Sequence, residues 1–182
     1  MATKPDDALE GVPARVWTRL ADLANKYKSD DQDKIDAGAF KKLYSDSIEN
    51  FHKDPKWVTV VEGSDTSESG VIDQIVGPWD LTVVDSVTVG VKGTYSPQSD
   101  GTWTISLTLA LKVTGRVVWE TTYSLSPENY YVRLQPNVGI AKADVTIGLY
   151  GQKRCLQVSG NACYWWFAYR CVDFNQTLLC FM

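Results

Sequence analysis

The chain has 182 residues, 44% of them hydrophobic and 22% charged, and carries a formal net charge of −4. That length suits one domain with a real apolar core, and the composition is not that of a disordered or fibrous chain. An acidic chain with no basic run longer than a pair does not fit a nucleic-acid partner, which needs clustered Lys and Arg against phosphate.

Asp6, Asp7 and Glu10 interrupt the segment where the apolar core of a secretory leader would lie. No stretch approaches the ~20 apolar residues of a spanning helix. These features favour a cytoplasmic location.

Up to about Lys56 the chain is charge-dense and reads as helix. From Pro13 to Tyr27, Val16, Trp17, Leu20, Leu23, Ala24 and Tyr27 recur on one helical face. Ser29 followed by Gln32 reads as a capping box opening a second helix, whose stripe is Ile35, Phe40, Leu43, Tyr44, Ile48 and Phe51. Asp54-Pro55 closes it. The opposite faces mix both charge signs, which marks docking faces rather than membrane-surface helices.

Beyond Lys56, Val, Thr, Ile and Tyr take over. Trp57 to Glu62 reads as a strand, and Gly63 to Gly70 as a polar loop. Leu81, Val83, Val87, Val89 and Val91 alternate with polar residues. So do Trp103, Ile105, Leu107, Leu109, Leu111 and Val113, after a turn at Ser96–Gly101. Period two of this regularity means antiparallel strands with one face buried and one wet. The series continues through Arg116–Leu125, Tyr130–Gln135, Ala143–Tyr150, Lys153–Val158, Ala162–Phe174 and Thr177–Met182. About eight strands on short turns predict an up-and-down meander closed as a barrel, with a β-sandwich as the alternative. The expectation is therefore a mostly β single domain: residues 1–55 a helical lead-in packed on the sheet, residues 56–182 the barrel or sandwich.

Gly77-Pro78-Trp79, at the start of the first long strand, resembles in architecture the calycin barrels (lipocalins, avidin-like and fatty-acid-binding proteins). In those barrels a Trp at that place closes the base against a late Arg or Lys. The resemblance covers about residues 77–182 and implies Arg170 as the partner.

Motifs of known chemistry are missing. His52 is the only histidine, which rules out a His-based zinc site, and no phosphate loop, dinucleotide glycine pattern or serine elbow occurs. Neither a metal nor a cofactor is expected. Cys155, Cys163, Cys171 and Cys180 contain no Cys-x-x-Cys pair. With a turn at Asn175-Gln176, Cys171 would face Cys180, and Cys155 would lie diagonal to Cys163. Free thiols are the favoured reading nonetheless.

Ala162–Phe174 carries aromatics on both faces and needs a cover. The helical stripes are the first candidate; a subunit interface, giving a homo-oligomer through this strand, is another. Three functions stay open. The first is a non-catalytic module holding a small hydrophobic or aromatic ligand in a barrel lined by Trp103, Trp119, Tyr123, Trp165, Phe167 and Tyr169. The second is a cofactor-free cyclase or isomerase, with Asp85, Arg170 and Asp173 as catalytic candidates. The third is a carbohydrate-binding or pore-forming protein. For the pore, the hairpin Leu81–Tyr95 and Trp103–Val113 would cross the bilayer, although a membrane partner is the weaker reading.

Overall fold

The computed structural model describes residues 8–53, 59–62, 74–84 and 87–181. The Gly63–Gly70 loop, Asp54-Pro55 and Asp85 lie outside these residues.

Helix α1 spans Ala14–Lys26 and buries Trp17, Leu20, Ala21 and Ala24, close to the stripe its sequence spacing dictates. Helix α2 spans Ala37–Lys53 and buries Phe40, Tyr44 and Ile48. It starts later than the capping box implies. Ser29 N–H does reach Gln32 Oε1, but that bond shapes the connecting loop. The cap is Asp36, whose Oδ1 accepts from Ala39 N–H at 2.8 Å. Asn25 fixes the loop by exchanging two hydrogen bonds with the Ile35 backbone, at 2.8 and 2.9 Å.

Nine strands follow among the described residues: β1 (Thr59–Glu62), β2 (Gln74–Val84), β3 (Val87–Pro97), β4 (Trp103–Val113), β5 (Arg116–Leu125), β6 (Tyr131–Leu134), β7 (Ala141–Tyr150), β8 (Cys155–Trp166) and β9 (Ala168–Cys180). Sequential strands pair antiparallel everywhere except between β5 and β6, so the meander forms in two parts. It divides into two sheets, β1-β2-β3-β4-β5 and β6-β7-β8-β9. Among the described residues no ladder joins one sheet to the other, so the expected closed barrel gives way to a sandwich-like arrangement. The break falls after Leu125, where Ser126 and Asn129 bond each other's backbone in a turn that lets the chain change sheets.

Alternation is cleanest in β4, where Trp103, Ile105, Leu107, Leu109, Leu111 and Val113 are all buried. They join one apolar cluster with Val89 and Val91 of the first sheet, Val145, Ile147, Leu156 and Val158 of the second, and the helical Leu20, Phe40 and Tyr44. Burying each such Leu or Phe side chain stabilises the fold by roughly 1.5–3 kcal/mol.

The end of the chain departs most from its sequence reading. The three segments expected beyond Gln152 are two long strands. Ser159-Gly160-Asn161 and Asn175 are not turns; they pair within the β8–β9 ladder. Gly160 keeps the strand running where a side chain has no room, because a Cβ there would meet the Asp144 carbonyl oxygen at 1.8 Å. The reversal occurs at Phe167, with Trp166 opposite Ala168 and Trp165 opposite Tyr169. In that register Cys163 faces Cys171, and beyond a bulge at Leu156/Gln157 Cys155 faces Cys180. Both pairs are disulfides, and no cysteine is free. The pairings Cys171–Cys180 and Cys155–Cys163 are thereby corrected, as is the expectation of free thiols. Two structural disulfides argue for an oxidising, extracellular setting over the cytoplasm, and no described helix is long and apolar enough to cross a membrane.

Candidate functional site

The six aromatics expected to line one cavity fall into separate places. Trp103 is buried at the start of β4 opposite Pro97. That end of the sandwich is pinned by Arg154, which donates to Tyr95 Oη at 2.9 Å and to the Gly101 carbonyl at 3.0 Å, while Tyr95 stacks on Phe181 at 4.1 Å. Trp165 stands ten residues along β8 from Cys155, about 33 Å away at strand spacing. Trp119 is half-buried on β5 and borders a void of about 10 Å³ with Leu134, Pro136 and Val145, room for about one water. Tyr123 lies on the edge strand β5, 41% exposed.

Trp165, Phe167 and Tyr169 do come together, with Trp166, at the β8–β9 tip. Trp165 meets Tyr169 edge-on at 5.1 Å, and Trp166 meets Phe167 edge-on at 6.0 Å. The tip is held from several sides. Tyr44 Oη donates to the Trp165 carbonyl at 2.7 Å, and Trp165 N–H donates to the Ile140 carbonyl at 2.7 Å. The Ala8 carbonyl accepts from both Phe167 N–H at 2.9 Å and the Trp165 indole N–H at 3.1 Å. Tyr169 Oη donates to the Gly139 carbonyl. Gly139 has φ +94, and a Cβ there would sit 2.6 Å from a Val16 methyl, so only glycine brings this turn against helix α1. Of the helical stripes expected to cover the aromatic strand, Tyr44 reaches the tip, with Trp17 packed on it at 5.6 Å, while Ala168 to Cys171 stay exposed.

Phe167 itself is anomalous. Its φ is +66, a region that costs an L-residue roughly 1–2 kcal/mol and in hairpin turns belongs to Gly or Asn. Burial offsets this only in part, because Phe167 is 45% exposed. Tyr169 is 38% exposed, with the Lys142 ammonium 4.1 Å from its ring centre. Burial raises the Tyr44 hydroxyl above the ordinary tyrosine range and raises Tyr164 as well; Tyr44 serves as a neutral hydrogen-bond donor.

Of the catalytic candidates, the two among the described residues do not converge. Arg170 and Asp173 are both exposed and point to opposite faces of β9. Arg170 Nε donates to the Trp166 carbonyl at 3.2 Å, so it belongs to the tip and not to the base of a closed barrel. Among the described residues no cluster of three or more His, Cys, Asp or Glu could hold a metal.

Sequence reasoning passed over one concave place on the wet face of the first sheet. Gly90 and Ala110, opposite each other on β3 and β4, floor a groove of about 240 Å³. Their place among Thr, Ser and Lys on an otherwise long-side-chained face was the available signal.

No protein-family model, curated protein or solved structure matches this chain. The geometry alone carries the functional reading.

Proposed function

We propose that this protein is a non-catalytic binding module of an oxidising compartment, taking a small apolar or aromatic molecule against the exposed rings of the β8–β9 tip. The observation that carries the reading is Phe167: an exposed aromatic held in a backbone conformation that disfavours it, on a hairpin fastened on both sides. Strain that a half-exposed ring offsets only in part is a feature of contact residues. Trp166 and Tyr169 widen the surface, and Lys142 beside Tyr169 supplies one polar anchor. This keeps the binding class expected from the sequence and moves it from the interior to the surface. The void beside Trp119, where the interior aromatics were expected to hold a substrate, has room for about one water. The apolar residues of the β3–β4 hairpin that a pore would turn to lipid are in the core.

Titration with indole and naphthalene derivatives, followed by Trp fluorescence, tests the reading. Wild type should bind several-fold more tightly than Phe167→Gly, since one aromatic pair contributes about 0.5–1.5 kcal/mol. Equal affinity of the two proteins would remove the tip from consideration.

A further inference from the structure

The groove on the wet face of the first sheet has an order that the register makes plain. One row across four strands reads Asp80, Gly90, Ala110, Glu120: a carboxylate, two positions with almost no side chain, and a carboxylate. Lys112 and Lys92 stand two residues away along β4 and β3, on opposite sides of that row. Lys112 Nζ closes on Asp80 Oδ1 at 3.0 Å. That pair lies over Gly90, where an added Cβ would sit 3.2 Å from Asp80 Oδ1 and 3.5 Å from Lys112 Cε. Gly90 has no positive φ, so what its missing Cβ provides is room beneath that pair.

One cation and one anion of the groove have no ion partner among the described residues. Lys92 and Glu120 are both exposed and are separated by two strand spacings and one two-residue step. Their Cα atoms are therefore about 12 Å apart, and their side chains reach toward the same floor. The groove as a whole carries two positive and two negative groups, so neither a net cation nor a net anion is favoured. We infer that this groove is a binding site for a small zwitterion, its carboxylate on Lys92, its ammonium on Glu120, and its alkyl spacer over Ala110.

The site is separate from the aromatic tip and does not depend on it. The probes are 4-aminobutanoate, 6-aminohexanoate, hexanoate and hexylamine, added at millimolar concentration to ¹⁵N-labelled protein, with the Gly90 and Ala110 amide resonances as readout. The amino acids should shift both amides saturably, and the two singly charged compounds should bind roughly fivefold more weakly or not at all. Lys92→Glu or Glu120→Lys alone should abolish the shifts. The double variant Lys92→Glu/Glu120→Lys should restore them, because a zwitterion can bind turned around. Hexylamine or hexanoate binding as well as 6-aminohexanoate, no shift with any probe, or a double variant as inactive as the singles would each overturn the assignment. Unchanged far-UV circular dichroism checks that the surface variants remain folded.

Discussion

Phe167 offers a sign test that few positions allow. Phe167→Ala and Phe167→Gly both delete the ring, and both keep the backbone N–H that donates to Ala8. The lost burial is common to the pair; with the side chain 45% exposed it is about half of a full Phe contribution, near 1 kcal/mol. The variants differ only at Cβ. At φ +66 a Cβ costs about 1–2 kcal/mol, against about 0.5–1 kcal/mol for the extra unfolded-state freedom of glycine. The glycine variant should therefore be the more stable of the two by about 0.5–1 kcal/mol, and should lie close to wild type. Urea unfolding with both disulfides intact, read as the shift in midpoint at constant slope, measures this. At an ordinary strand position alanine wins. An alanine variant as stable as the glycine variant or more so would refute the strained tip and the functional argument built on it.

Three other outcomes are expected. Replacing Cys155 and Cys180 together by Ser should cost about 3.5 kcal/mol, and replacing Cys163 and Cys171 about 2.5 kcal/mol, from the chain lengths they close; peptide mapping of the oxidised protein should return these two pairs and no others. Tyr44→Phe should cost about 1–3 kcal/mol by leaving the Trp165 carbonyl without its donor. Because burial raises the folded-state pKa of Tyr44, its hydroxyl favours folding below the ordinary tyrosine value near 10. That contribution is lost as pH rises past it, so alkaline unfolding profiles should be flatter in the Phe variant. The Arg133 guanidinium, 2.8 Å away, lowers the Asp144 carboxyl, so its contribution is present above the ordinary aspartate range and disappears as pH falls through the lowered value. Asp144→Asn should flatten the acid side of the stability profile, measured by thermal melts between pH 2 and 6.

Much of the fold was legible because it rests on local pattern. The period-two runs of β3 and β4 and the 3.6-residue stripes of Trp17, Leu20, Phe40 and Tyr44 reappear as buried faces. Closure was not legible, since a meander pattern is the same whether its last strand returns to the first or the chain steps into a second sheet. The final hairpin misled for a definite reason. Ser159-Gly160-Asn161 has turn chemistry, yet Gly160 serves a close approach of strands, while the actual reversal carries Phe, a residue that turn rules exclude. One wrong reversal moved every cross-strand partner, and with them both disulfides. Of the expected binding residues, Trp165, Phe167 and Tyr169 meet because they flank that reversal, whereas Trp103, Trp119 and Tyr123 belong to the other sheet. The groove over Gly90 and Ala110 escaped notice because only the register places them side by side.

The most direct test of the proposed binding surface is a ¹H–¹⁵N shift map of the oxidised protein titrated with indole. Saturable shifts concentrated at Trp165–Tyr169, Lys142 and the Ala8 segment that the tip holds are expected. Shifts centred instead on Trp119 and the residues between the sheets, or none at the tip, would contradict the proposed surface.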